Sequence, residues 1–242
     1  MDADPRPPRR PIGRRTPSGV LAIAAYAVGQ VTVDREGGGS MTARELGISG
    51  VGLEAGDHVC GFYFGECERD AILLPYLRNG LRDGDKCLAV VDSTTPAEVS
   101  AGIGADGHAT DCLRSRQLEI WGTEDTYLRT GVFSPDLMIA FWEEHVGAVT
   151  EDGRFDFVRV VGEMSWLERA APARELVVAY ESWADRFALQ HAQAVLCLYD
   201  VQRVGGGLLM DLFKTHPKVL LNGIIVENPH HLSGDEFASA ST

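Results

Sequence analysis

Residues 56–81 read GDHVCGFYFGECERDAILLPYLRNGL, and in them His58, Cys60, Tyr63, Glu66 and Glu68 set an imidazole, a thiol, a phenol and two carboxylates beside an apolar segment. Imidazole and carboxylate together move protons, and a thiolate is a nucleophile or a metal ligand. A phenol among apolar residues lines and anchors a small ligand. His58-x-Cys60 places both side chains on one face of an extended strand, as a metal pair requires. No second close pair completes a four-ligand set in the sequence, so no metal and no cofactor are expected.

A second group follows an apolar run: Gly162-Glu163-Met164-Ser165-Trp166 puts a carboxylate and an indole directly after a buried strand, and Tyr199-Asp200 ends another. Aromatic walls with one or two polar anchors suit a small organic ligand. The candidate ligand-binding residues are therefore His58 and Glu163 as polar anchors, Tyr63, Trp166 and Tyr199 as walls, and Cys60 nearby. No catalytic residue is assigned. Each has a plainer reading. Cys60 and Cys197 read as small core hydrophobes, Trp166 and Trp183 as core aromatics, and Glu163 as the partner of an arginine such as Arg159. His216-Pro217 reads as an imidazole at a helix C-terminus, and His230-His231 as solvated.

The elements that must position these groups alternate. Residues 58–64 are rich in β-formers and read as a strand. A helix over 68–82 has Ile72, Leu73, Tyr76, Leu77 and Leu81 at helical spacing, with Pro75 expected to kink it or delay its start. Residues 86–92, KCLAVVD, form an apolar run of the kind buried on both faces of a parallel sheet. Thr95-Pro96-Ala97-Glu98 is a capping box that opens the next helix. Residues 102–116 read as a loop and 117–121 as a strand. Ser134-Pro135 opens a helix with Leu137, Ala140, Phe141, His145 and Ala148 on one stripe. A strand follows over 155–161. Pro172 opens a helix through Phe187 whose apolar face includes Leu176, Val177, Tyr180 and Trp183. A strand over 194–199, a helix over 207–214 and a last strand over 219–226 complete the pattern. Strands separated by helices predict an α/β fold: an open, mostly parallel sheet with helices on both faces. Ligands of such sheets sit beyond the carboxyl ends of the strands, where Tyr63, Asp92, Glu163 and Tyr199 fall.

At 242 residues and 45% hydrophobic, the chain has the substance for one sizeable core. Its formal charge is -13, and beyond residue 40 the balance is 16 basic to 31 acidic side chains. That argues against direct nucleic-acid binding, which needs clustered Lys and Arg to neutralise phosphate. Five widely spaced cysteines suit reduced thiols and a cytoplasmic location. Residues 1–40 open on MDADPRPPRRPIGRR and cannot form a core. The apolar run over 20–31 falls short of the roughly 20 residues that span a bilayer, so no membrane association is expected. This segment reads as a disordered or non-native extension. Its EGGGS is what a purine-rich ribosome-binding sequence encodes, which implies synthesis from Met41. The domain is expected over 41–235 and a tail over 236–242.

Enzyme signatures are missing: the sequence has no G-x-x-x-x-G-K-[ST], no G-x-G-x-x-G after a strand and no G-x-S-x-G. An enzyme of unknown reaction using Cys60 or Glu163 and an adaptor with a degenerate pocket are the alternatives.

One combination is more specific. Asp57-His58-x-Cys60-x-x-Tyr63, Pro75-Tyr76-Leu77-x-x-Gly80-Leu81-x-x-Gly84-x-x-Cys87, Gly162-Glu163-Met164-x-Trp166, Tyr180-Glu181, Leu196-Cys197-x-Tyr199-Asp200 and Thr215-His216-Pro217 occur in order. Together they resemble the MEDS domain, the methanogen/methylotroph DcmR sensory domain, over roughly residues 50–235. The resemblance implies a RecA/KaiC-like fold without a P-loop, and a sensory module for small hydrocarbon derivatives in signalling and transcription regulation. Family members often carry a helix-turn-helix, a histidine-kinase part or an anti-sigma element. This chain leaves no room for one, so a signalling partner in trans is implied, such as a histidine kinase or an anti-sigma factor.

Overall fold

The computed structural model describes residues 44–48, 51–104, 108–233 and 236, all within the unit Met41–Thr242. The expected extension over 1–40 and most of the expected tail lie outside them. A short antiparallel pair, β1 (Arg44–Glu45) and β2 (Gly52–Leu53), precedes the main run. There follow β3 (Asp57–Tyr63), α1 (Gly65–Arg82), β4 (Lys86–Val91), α2 (Pro96–Ile103), α3 (His108–Arg114), β5 (Leu118–Gly122), α4 (Pro135–Asp152), β6 (Val158–Glu163), α5 (Leu167–Ala170), α6 (Arg174–Ala188), β7 (Gln193–Asp200), α7 (Gly206–Thr215), β8 (Lys218–Leu221) and β9 (Ile224–Glu227).

The 7-stranded sheet has the order β5-β4-β6-β7-β3-β8-β9. Its pairs are parallel except β8 with β9. Residues of β3, β4, β6 and β7 are buried throughout, as strands covered on both faces must be. Their alternation divides two cores. Cys60, Phe62, Leu88, Val90, Cys197 and Tyr199 face α4, α6 and α7. Val59, Tyr63, Ala89, Val91, Leu196 and Leu198 face α1, α2 and α3. The expected open α/β sheet with helices on both faces is what forms.

Local differences from the sequence reading have physical causes. Helix α1 begins at Gly65, earlier than expected, and continues through Pro75. Its buried stripe of Ile72, Leu73, Tyr76, Leu77 and Leu81 outweighs the lost hydrogen bond. Residues 108–114, expected in a loop, form α3 because Ala109 and Cys112 bury against the sheet. The buried face of α4 is Met138, Trp142, Val146 and Val149. It lies one position on from the expected stripe, because Trp142 and Met138 carry more apolar area than Ala140 and Ala148. The last strand is a hairpin, since Asn222 (φ 51) and Gly223 (φ 75) turn the chain in the left-handed conformations of a tight two-residue loop.

Candidate functional site

In an open α/β sheet the binding crevice lies beyond the carboxyl ends of the strands, where successive connections leave in opposite directions. Here β3 and β7 are neighbours. The chain leaves β3 towards β4 on one side and leaves β7 to reach β8 on the other. One polar group, around Glu163, lies at these carboxyl ends; a second, around His58, lies on the other face towards the amino end of β3.

On the α1 face, fully buried Glu163 ends β6. It accepts hydrogen bonds from the Asp92 amide (2.8 Å), the Ser165 hydroxyl (3.2 Å), the Tyr63 hydroxyl (3.4 Å) and the Ser93 hydroxyl. Arg69 Nη1 lies 3.5 Å away. Three hydroxyl donors crowd Oε1, while Oε2 accepts only the Asp92 amide among the described residues. Glu163 ties the ends of β3, β4 and β6 together. Burial, and then the charge of Glu163, push the Tyr63 phenol well up. Arg159, expected as a partner for Glu163, pairs instead with Asp85 and Asp83, each at 2.8 Å.

On the opposite face, β3 contributes His58 and Cys60, β7 contributes Cys197 and Tyr199, α6 contributes Glu181, and His216 follows α7. His58 Nε2 and His216 Nε2 lie 3.3 and 3.2 Å from Glu181 Oε2, and Cys197 Sγ lies 3.6 Å from His58 Nε2. The Tyr199 hydroxyl donates to Glu181 Oε1 at 2.5 Å. The remaining ring nitrogens are backed from outside: Asp185 Oδ1 is 3.7 Å from His58 Nδ1, and the Leu212 carbonyl is 2.7 Å from His216 Nδ1. Burial works against charge on His58, but the carboxylates of Asp185 and Glu181 outweigh it and raise its pKa. Burial, and then the adjacent His58, lower that of His216. Burial opposes ionisation of Glu181, yet His216 and His58 hold its carboxyl far below the usual range. Burial, and then the Glu181 charge, push the Cys60 and Cys197 thiols well up.

Beside this cluster, between the sheet, α4 and α6, is an aromatic cleft of about 10 Å³ whose lining includes Tyr127, Trp142, Tyr180, Trp183, Phe187 and Cys197. A chain of polar tips crosses it: Trp142 Nε1 donates to the Tyr180 hydroxyl (2.8 Å), which lies 3.2 Å from that of Tyr127. Trp166 stacks on Tyr127 at 5.0 Å and contacts Phe133 at 4.8 Å. Its buried Nε1 has no hydrogen-bond partner among the described residues. Larger hollows lie away from this chemistry. One of about 370 Å³ beside Lys86 and Glu119 is bordered by groups already ion-paired, and one of about 570 Å³ separates α2 from α3.

The expected site residues thus fall in separate places. Tyr63 and Glu163 meet on one face; His58, Cys60 and Tyr199 meet on the other; Trp166 backs the cleft. Glu181, Cys197 and His216 complete the second group, and Tyr127, Trp142 and Tyr180 form the cleft.

Residues 57–217 match the family model described as MEDS, the MEthanogen/methylotroph, DcmR Sensory domain, over more than half of the chain. The chain belongs to this family. The matched stretch of the MEDS domain runs from β3 to just past His216 and so holds both polar groups and the cleft. The domain is 25% identical over 182 residues to the transcriptional repressor DcmR of Methylorubrum extorquens, covering 72% of this chain and 63% of that relative. It therefore spans less than two thirds of the regulator's length. Among solved structures it is similar to the flagellar accessory protein FlaH of Methanocaldococcus jannaschii, with 11% identity, a TM-score of 0.48, and coverage of 74% of this chain and 78% of that one. A sensory-domain family and a regulator as relative give the MEDS domain a sensory or regulatory role. No helix among the described residues is long and apolar enough to cross a membrane.

Proposed function

We propose that the MEDS domain senses a small organic molecule, a hydrocarbon derivative, in the aromatic cleft beneath α6, and reports its presence to a partner protein in trans such as a histidine kinase or an anti-sigma factor. The observation that carries this reading is the cleft itself, with apolar walls and a short line of hydroxyl and indole groups, the composition of a small-ligand site. Trp166 serves as its second wall, through Tyr127. At about 10 Å³ the cleft has room for roughly one water. An organic occupant must displace an aromatic side chain, and half-buried Trp183, stacked on Phe187 at 4.5 Å, is the least confined. A ligand that binds only the displaced state shifts the population of Trp183 side-chain positions, which is the differential affinity that sensing requires.

An enzyme using Cys60 or Glu163 is less well supported, because the thiol is held protonated by burial and three hydroxyl donors engage Glu163 Oε1. The test is a thermal-shift titration with one- to six-carbon alcohols, halides and acids. At a concentration of 100 times Kd, a true ligand adds about 2.7 kcal/mol, visible as a clear rise in Tm. Trp183→Ala should change the size preference, and Tyr180→Phe should weaken ligands with a polar group. A panel that moves Tm nowhere refutes the reading and favours an adaptor with an empty pocket; turnover without any partner favours the enzyme.

A further inference from the structure

We propose that His58, Glu181, Cys197 and His216 bind one divalent transition-metal ion of the zinc class. One ligand atom from each of these residues lies within 4.8 Å of all the others, and all four residues are buried. The key separations are 3.2 and 3.3 Å from the imidazole Nε2 atoms to Glu181 Oε2, and 3.6 Å from Cys197 Sγ to His58 Nε2. Zinc bonds of about 2.0–2.3 Å in a tetrahedron set ligand atoms about 3.3–3.8 Å apart. At these distances Glu181 Oε2 and His216 Nε2 still make no aligned hydrogen bond, although both are fully buried. Donor atoms converging on a common point at these separations fit the edges of a tetrahedral ligand set.

The surroundings prepare each ligand. The Leu212 carbonyl engages His216 Nδ1 at 2.7 Å, the outer contact that orients a metal-bound histidine, and Asp185 Oδ1 faces His58 Nδ1 from 3.7 Å, so both rings present Nε2 inward. Tyr199 occupies Glu181 Oε1 and leaves Oε2 for the ion. On binding, the Cys197 S–H bond is replaced by a sulfur–metal bond and the proton leaves to solvent. Two positive charges are then cancelled by one carboxylate and one thiolate, so the filled site is neutral, as a buried site must be. With four protein ligands there is no open position for water, which makes the ion structural, not hydrolytic. It would fasten α6 and the segment after α7 to β3 and β7. The inference stands independently of the cleft's occupant.

Metal content of the full chain is the test, measured by mass spectrometry after purification without chelator or immobilised nickel, and again after refolding with Co²⁺. About one zinc per chain is expected as purified. Cobalt should give tetrahedral d–d absorption and a sulfur charge-transfer band. Cys197→Ser should abolish the charge-transfer band, His216→Ala and Glu181→Gln should abolish stoichiometric binding, and Cys67→Ser, exposed and away from the site, should change neither. Wild-type chain that is folded by circular dichroism yet sub-stoichiometric in zinc and blind to cobalt overturns the proposal, whatever the variants do. A cobalt spectrum unchanged in folded Cys197→Ser overturns it equally.

Discussion

Arg159→Met tests how the amino ends of the central strands are held. Arg159 is completely buried on β6. Its guanidinium donates to Asp85 (2.8 Å), Asp83 (2.8 Å) and the carbonyls of Glu45 (2.9 Å) and Tyr76 (3.2 Å). Asp83 is 41% exposed and rehydrates when the arginine is removed, whereas Asp85, 1% exposed, keeps only Arg44. Stranding one partner of a buried ion pair costs about 3–5 kcal/mol. For a chain of this size, 1 kcal/mol shifts Tm by about 2–4 °C, so a fall of about 6–20 °C is expected in calorimetry. The pH dependence follows from Asp85, whose pKa burial raises above 3.8 while Arg159 pulls it down. A carboxyl with a raised folded pKa costs stability when ionised, and that cost disappears as pH falls through the folded pKa. Without Arg159 the pKa climbs further. The gap between variant and wild type should therefore be full at neutral pH and narrow as pH falls towards 3.8. The double variant Arg159→Met/Asp85→Leu should recover most of the loss. A single variant within about 1 kcal/mol of wild type, or a gap that widens in acid, refutes this account of the pair.

Two further outcomes are expected. In Gly162→Ala the new Cβ would meet the Tyr127 hydroxyl at 2.6 Å. Because that ring is pinned by Trp166 and Tyr180, about 1–3 kcal/mol of overpacking is expected in denaturant melts, together with a lost response to cleft ligands. In Gly223→Val the hairpin's left-handed residue is strained by about 1–2 kcal/mol. Hydrogen exchange should quicken in β8 and β9 and stay unchanged in β6 and β7.

Much of the architecture was legible because hydrophobic period and end signals agreed. The capping box at Thr95 and Glu98 forms as expected, as does the Ser134 cap with Pro135. The buried run of β4 also lies where the apolar letters place it. Errors arose where tertiary contact decided between locally equal options. Both faces of α4 carry apolar residues, and only the sheet selects Met138, Trp142, Val146 and Val149. Asn222-Gly223 was a hairpin signal hidden inside a run of β-formers.

The site was less legible, because its groups are joined by strand alternation and helix phase, not by sequence proximity. His58 and Cys60 announce one face of β3, but Cys197 joins them only because β7 pairs in the register Cys60 with Cys197. Register between distant parallel strands leaves no mark in either strand alone. His216 looked like an imidazole at a helix end, and it does bond the Leu212 carbonyl; what the helix cannot reveal is that Nε2 turns inward to Glu181. Glu181 alone carried a usable signal. It sits on the buried stripe of α6 with Val177, Tyr180, Ala184 and Ala188, where a carboxylate lost from water costs several kcal/mol unless partnered. An acid on the apolar face of an amphipathic helix therefore demands a cation or a donor set from elsewhere in the fold. His58 and His216 stand within 3.3 Å of Glu181 Oε2, and the Tyr199 phenol donates to its Oε1.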